Sequence, residues 1–214
     1  MNKLLAALLV AGFASQAQAD VRITEWMYSG GSGEFIEFTN LGDAAVDFTG
    51  WSYDDESRLV GGFDLSGFGL VGAGESVVIT ETEAATFRLD WSLADSVKVL
   101  GGYTNNIGRA DELNLFDGAG SLVDRLAYGD ATIGGPRTQN ASGRATTEAA
   151  LGANDATQWV LSSVGDVEGS YASLSGAIAS PGMTSFAAPV PEPETYAMLL
   201  AGLGLISFMA RRRA

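Results

Sequence analysis

The sequence predicts an all-β protein built as a sandwich of two sheets, and three observations support this prediction. Short runs rich in β-branched and aromatic residues recur along the chain and are separated by Gly, Asp and Asn. The 214-residue chain contains 28 glycines, which favour turns, and 46% apolar residues, which suffice for a core. Seven strands, enough for two packed sheets, are predicted at residues 21–27, 34–40, 45–48, 75–80, 96–100, 112–116 and 122–128.

The segments between these runs predict a hairpin, a helical turn and a loop. Asp117-Gly118-Ala119-Gly120 joins two apolar runs with residues that tolerate positive φ, which predicts a β-hairpin. Residues 81–91 favour a helical turn, because residues 82–87 are typical of a capped helix start. Residues 129–154 contain few large apolar side chains, so we expect a long, partly mobile loop. The apolar run at 159–161 predicts that the chain then returns to the same domain.

The composition excludes several kinds of chemistry. The formal net charge is −14, and the middle of the chain is more acidic still, because Lys3 and the three arginines at 211–213 lie in terminal segments. Such a chain repels phosphate groups, so neither nucleic acid nor anionic lipid is an expected partner. The chain has no cysteine and no histidine, which excludes disulfides, thiolate chemistry, Ser-His-Asp triads and most zinc sites. We expect no cofactor.

The first 19 residues predict a secretory signal peptide. Lys3 precedes an apolar run at 4–14, and Ala17 and Ala19 form a small-x-small cleavage site before Asp20. A buried N-terminal helix is the alternative interpretation, but the apolar run has no polar face. The secretion machinery is therefore an expected partner, and the mature chain is exported.

The C-terminal segment combines a short motif, an apolar run and a basic cluster. The motif consists of Val190, Pro191, Glu192 and Pro193, the apolar run spans 197–210, and the cluster consists of Arg211, Arg212 and Arg213. This arrangement resembles the PEP-CTERM sorting signal of Gram-negative bacteria. The resemblance implies that an exosortase-type membrane enzyme recognises and cleaves the tail at residues 187–214.

The length of the apolar run favours temporary membrane residence for this tail. A helix over 197–210 is about 21 Å long at a rise of ~1.5 Å per residue, whereas a bilayer core is about 30 Å thick. The arginines favour the cytoplasmic side, and Pro191 and Pro193 keep the motif extended at the outer face. The alternative is a transmembrane helix that remains as an ordinary tail anchor.

Seven segments in the middle of the chain share a recognisable order and spacing: 23–28, 33–40, 46–51, 70–80, 111–117, 120–129 and 180–182. Together they resemble the lamin tail domain family. This resemblance implies an immunoglobulin-like β-sandwich, expected here over residues 20–186, and it does not imply an enzyme. Five apolar residues in these segments are expected in the core of the sandwich: Phe35, Ile36, Phe38, Phe48 and Trp51.

Four short patterns resemble known binding, catalytic or modification sites, but none is predicted as a functional site of this chain. Gly67 to Gly72 fits G-x-G-x-x-G, but no helix is predicted to follow it. Glu34 and Glu37, three apart on a strand, point to opposite faces and do not form a glycosidase pair. Asp54-Asp55-Glu56 offers oxygen ligands for calcium but is more typical of a solvated loop. Asn140-Ala141-Ser142 matches a glycosylation sequon.

We therefore expect a non-catalytic binding, adhesion or scaffold module of the envelope or extracellular matrix. Its expected partners are the exosortase-type enzyme and, beyond it, extracellular polysaccharide or envelope proteins. The expected location is the inner membrane transiently, then the cell surface, outer membrane or medium. The alternatives are a secreted hydrolase with carboxylate chemistry and a calcium-dependent carbohydrate-binding module. Two carboxylates facing each other in a deep polar cleft would favour the hydrolase, and a shallow surface would favour binding.

Overall fold

The structure is a computed structural model that describes residues 20–129 and 133–187. The predicted signal peptide, the sorting motif and the apolar run at 197–210 lie outside these residues. In the described ranges, no helix has both the length and the apolar character that a membrane crossing requires.

The described residues form strands joined by short turns, with one α-helix, α1 (Ala84–Asp90). Three 3-10 helices occupy Ser66–Phe68, Glu148–Ala150 and Ala156–Gln158. In chain order the strands are β1 (Val21–Met27), β2 (Phe35–Asn40), β3 (Val46–Asp47), β4 (Ser52–Asp54), β5 (Phe63–Asp64), β6 (Leu70–Val71), β7 (Ser76–Thr80), β8 (Lys98–Gly101), β9 (Ala110–Phe116), β10 (Leu122–Gly129), β11 (Gly143–Ala145), β12 (Trp159–Leu161), β13 (Tyr171–Ala172) and β14 (Ile178–Ala179).

Two sheets make up the sandwich, as an immunoglobulin-like fold requires. The larger sheet has the order β12-β11-β1-β2-β7-β8, and the smaller has the order β10-β9-β4-β5. Pairing is antiparallel except between β7 and β8, which run parallel because α1 connects them as a crossover. Two short ribbons, β3-β6 and β13-β14, complete the described strands.

The main core lies between the two sheets. The larger sheet contributes Ile23, Trp26, Ile36, Phe38 and others, and the smaller sheet contributes Tyr53, Leu113, Leu115, Leu126 and Tyr128. The ring of Trp26 lies 5.1 Å from that of Tyr128 and 4.9 Å from that of Trp159, measured between centroids. Trp26 therefore joins β1 to the smaller sheet and to the edge strand β12.

The larger sheet is buried on its outer face as well, the face turned away from the smaller sheet. Phe35 packs there against Phe87 and Trp91 of the helical segment, with ring centroids 5.4 and 6.0 Å apart. Ala177 and Ala179 cover the same cluster from the C-terminal side. All six residues of β2 are consequently buried, so Phe35 and Ile36 lie in two different clusters on opposite faces.

The structure confirms the predicted sandwich and corrects part of its detail. Each of the seven predicted runs overlaps a strand, the hairpin closes through Asp117 N–H to Ser121 O at 2.9 Å, and α1 lies within 81–91. The short strands β4, β5 and β6 were not predicted. The predicted cap is wrong, because the N-cap residue Glu83 makes no side-chain capping bond. The expected loop at 129–154 contains β11, which pairs with β1 inside the larger sheet. Its buried residues are small or polar, such as Ser142 and Ala145, so composition did not reveal the strand.

Close packing at β11 generates the first prediction. A Cβ added at Gly143 would lie 2.6 Å from Cζ3 of the buried Trp26 ring. We expect Gly143→Ala to lower the free energy of unfolding by about 1–3 kcal/mol through overpacking, measured by urea denaturation. Gly72→Ala is the matched control, because its Cβ would approach nothing closer than 3.5 Å. Equal stability of the two variants would contradict this packing.

Candidate functional site

The last part of the domain, residues 162–187, crosses the outer face of the larger sheet and is called the strap here. It leaves the edge strand β12 where Ser162 N–H donates to Ser142 O at 2.9 Å. It returns beside β11 through two further backbone bonds of 2.9 Å, from Ile178 N–H to Asn140 O and from Ser142 N–H to Ile178 O. The strap thus connects the sandwich to the sorting segment.

Two buried carboxyl groups, Glu25 on β1 and Glu37 on β2, hold the strap. Ser180 donates to Glu25 Oε1 from its N–H at 2.9 Å and from its hydroxyl at 3.1 Å. Gly182 N–H donates to Glu37 Oε2 at 2.6 Å. Ser142 Oγ also donates to Glu25 Oε1, at 2.5 Å. The strap therefore satisfies acceptors that the sheet leaves on its outer face.

The register of β1 and β2 places these two carboxyl groups side by side. Glu25 is paired directly with Glu37 across the antiparallel ladder, just after an irregularity between Ile23 and Glu25. Thr24 Oγ1 donates to Glu37 Oε1 at 2.6 Å. Glu25 Oε2 is buried and has no hydrogen-bond partner among the described residues. Two anions in direct opposition repel each other, so this arrangement favours a proton on the pair.

The pKa values of both groups are shifted in that direction. Burial raises the pKa of Glu25 from its ordinary value of 4.5 to about 7, against the opposing effect of its hydrogen bonds from Ser142 and Ser180. Burial, followed by repulsion from Glu25, raises the pKa of Glu37 well above its ordinary value. The two groups titrate as one pair that retains a proton near neutral pH.

A second pair of acids fixes the turn at the start of the strap. Asp166 accepts from the backbone N–H groups of Ser163, Glu168 and Ser170 at 3.1 to 3.2 Å, and from Arg144 Nε at 2.9 Å. Glu168 accepts from Ser185, two residues before the end of the strap, through the N–H at 2.5 Å and the hydroxyl at 2.7 Å. The turn and the end of the strap are therefore tied together.

A pocket of about 360 Å³ lies on the opposite side of the molecule, on the outer face of the smaller sheet. It opens between β9, β10 and the loop after β4, and is lined by Glu56, Arg58, Ala110, Asp111, Glu112, Ala127 and Ile133. Charged side chains and apolar side chains both contribute to its lining.

Ion pairs hold the charged groups of this pocket in place. Arg58 binds Glu112 through two bonds, Nε to Oε1 at 2.6 Å and Nη2 to Oε2 at 2.7 Å. Arg125 Nε lies 3.1 Å from the same Glu112 Oε1 and donates to Asn114 Oδ1 at 2.6 Å. The Arg58 guanidinium lowers the pKa of Glu112, so this carboxylate stays ionised. More than half of the Arg58 side chain remains exposed to a ligand.

Glu34 and Glu37 lie close together in the sequence but apart in the structure, where Glu37 is instead paired with Glu25. Glu34 Oε1 accepts from Ile107 N–H at 3.0 Å, away from Glu37 on the outer face. Glu25 and Glu37 form the convergent acid pair that sequence reasoning missed. The available signal was two acids at mid-strand positions of adjacent predicted strands, but their register depends on the irregularity in β1.

The three acids considered for calcium do not converge. Asp54 Oδ2 accepts from Ser57 Oγ and Leu59 N–H, both at 2.6 Å, and Oδ1 accepts from Asn105 at 2.8 Å. Asp54 is the buried last residue of β4 and organises the loop that follows it, so the interpretation of residues 54–56 as a solvated loop is wrong for Asp54. Over 20–129 and 133–187, no group of three or more acidic, His or Cys side chains is placed to hold a metal ion.

The structure describes two of the remaining sequence patterns, the glycine-rich stretch and the sequon. A 3-10 helix and the short strand β6 occupy the glycine-rich stretch, which lacks the strand-turn-helix of a dinucleotide site. Asn140 of the sequon is exposed. The cleavage residues Ala17 and Ala19 lie outside the described residues. So do the sorting residues Val190, Pro191, Glu192, Pro193, Arg211, Arg212 and Arg213, and all these assignments stay predictions.

Comparison with known proteins finds two matches. The family described as Lamin Tail Domain matches residues 14–130, more than half of the chain. The PEP-CTERM protein-sorting motif matches residues 189–213. No curated protein matches the sequence. The strap lies between the two matched regions.

The buried pair generates a prediction of pH dependence. Because the pKa of Glu25 is raised on folding, the folded state binds more protons than the unfolded state between pH 4.5 and about 7. The free energy of unfolding therefore falls as the pH rises through this window. We expect Glu25→Gln to be more stable than the wild type at pH 8, by on the order of 1–3 kcal/mol, with the difference disappearing towards pH 4.5.

Urea denaturation at a series of pH values measures this effect. Glu148→Gln, an exposed position, removes the same charge and should leave the pH dependence unchanged. Parallel pH profiles for the wild type and Glu25→Gln would contradict the raised pKa of the pair.

Proposed function

This chain belongs to the lamin tail domain family, and from that premise we propose that it acts as a non-catalytic binding module of the cell envelope or the extracellular matrix. The PEP-CTERM motif marks it as an exported protein that is anchored transiently at the membrane and processed by an exosortase-type enzyme. Its final destination, in our proposal, is the cell surface or the matrix.

The observation that carries the non-catalytic proposal is the location of the acid pair. Glycoside hydrolysis requires two carboxyl groups that flank an accessible glycosidic bond. Glu25 and Glu37 are 2% and 0% exposed, and both accept hydrogen bonds from the strap that covers them. Their contacts support a structural role, in which they attach the strap to the sheet.

The pocket on the smaller sheet is the proposed binding surface, and extracellular polysaccharide is the proposed ligand class. Sugar hydroxyl groups are donors and acceptors together, so their recognition favours charged groups of both signs at fixed positions. Arg58 and Glu112 provide this combination through their two-bond ion pair. Asp111 adds a further carboxylate, and Ile133 and Ala127 add apolar surface for the sugar ring.

Mass analysis of the mature protein tests the sorting part of the proposal. We expect cells that contain the sorting enzyme to yield a chain without Arg211, Arg212 and Arg213, because cleavage at the motif removes everything after it. Cells that lack the enzyme should retain these residues. The presence of these three arginines in both samples would contradict cleavage of the tail.

Calorimetric titration with polysaccharide extracted from the matrix of the producing cells tests the binding part. We expect Arg58→Ala to weaken binding by roughly tenfold, since it removes a charge-assisted donor and one of the two arginines that pair with Glu112. Lys98→Ala is the control, because Lys98 is also a partly exposed cation in an ion pair but lies on β8 of the larger sheet. Equal affinity of the two variants would exclude this pocket.

A further inference from the structure

The strap carries three exposed apolar side chains close to the point where the sorting segment begins. Val164, Val167 and Met183, called the apolar tip here, are 65%, 72% and 52% exposed. A Cβ added at Gly169 would lie 3.8 Å from Met183 Sδ, so Met183 lies beside the turn that carries the two valines. Apolar side chains presented together in this way mark a contact surface.

The apolar tip is held in a defined conformation. Gly165 N–H donates to Ser170 O at 2.8 Å and closes the turn that contains Val167. Asp166 accepts three backbone N–H bonds inside this turn and pairs with Arg144. The tip is therefore ordered before it meets a partner, which reduces the entropy that binding would otherwise cost.

The acids of the same turn point into the protein. The Asp166 side chain is 4% exposed, and Glu168 is 6% exposed and bound to Ser185. The apolar tip thus presents hydrocarbon without the carboxylates that its own sequence supplies. This matters because an exposed anion would oppose contact with an apolar environment.

The length of the linker places the apolar tip near the membrane during sorting. The strap ends at residue 187, and the apolar run of the tail begins at residue 197. Fully extended chain between these two residues spans at most about 35 Å. The end of the strap is tied through Ser185 and Glu168 to the turn that carries Val167. The tip therefore lies at the side of the domain from which the linker to the membrane leaves.

We propose that the apolar tip inserts into the interfacial region of the outer leaflet while the sorting segment resides in the membrane. The proposal rests on the sorting function and is independent of polysaccharide binding. The partner is an uncharged or zwitterionic lipid surface, because the acidic domain is repelled by anionic lipid. The strap then faces the bilayer and presents the linker and its motif at the membrane surface.

The absence of cysteine from the sequence permits a direct test. Single-cysteine variants of the full chain, each labelled with an environment-sensitive fluorophore, are reconstituted in phosphatidylcholine vesicles. Val167→Cys reports on the apolar tip, and Leu59→Cys is the matched control, since Leu59 is 63% exposed but lies in the loop after β4 of the smaller sheet. Ala201→Cys reports on insertion of the tail.

We expect the probe at 167 to show a blue shift and roughly threefold or more protection from an aqueous quencher relative to the probe at 59, because interfacial residues lie ~5–10 Å into the headgroup boundary. Equal quenching of the probes at 167 and 59, with the probe at 201 shielded from the quencher, overturns the proposal. Quenching of the probe at 201 also overturns it, because insertion of the apolar tip depends on an inserted tail. Shielding at 167 that persists in detergent and grows with protein concentration would assign the surface to a second copy instead. Loss of polysaccharide binding alone would leave these readings unchanged.

Discussion

The structure depends on a pair of buried carboxyl groups that two neighbouring strands place side by side. Glu25 and Glu37 need hydrogen-bond donors and a proton, because an uncompensated buried anion is among the most costly groups in a protein. Ser180 and Gly182 supply donors from the strap, and the raised pKa values of the two carboxyl groups favour retention of a proton by the pair. The position of the C-terminal part of the domain follows from this requirement.

The outer face of the larger sheet is consequently divided into an apolar half and a polar half. Phe35 and its neighbours bind α1 through aromatic contacts, whereas Thr24, Thr39 and Ser76 extend the hydrogen-bond network of Glu37. Any well-packed apolar segment could bury the apolar half, but the polar half requires hydrogen-bond donors at particular positions. The polar half therefore restricts the path of the strap more than hydrophobic burial does.

This path separates the two surfaces to which we assign functions. The strap and the apolar tip lie on the side of the larger sheet. The pocket around Arg58 and Glu112 lies on the outer face of the smaller sheet. A domain that faces the membrane with its strap presents the pocket away from the membrane. Sorting and binding can thus proceed on one small domain without competing for surface.

The sequence by itself determined the sandwich, seven of the strands of residues 21–128, the hairpin at Asp117 and the family, but not the short strands β4, β5 and β6. These features depend on local patterns: short β-type runs, turn residues and motifs that a chain carries whether or not it is folded. Tertiary structure decided the role of β11 and the strap and the pairing of Glu25 with Glu37. The physical reason is distance along the chain, since Ser142 and Ser180 reach Glu25 from more than a hundred residues away. An irregularity of one residue in β1 also sets which side chains share the outer face, and no local pattern records it.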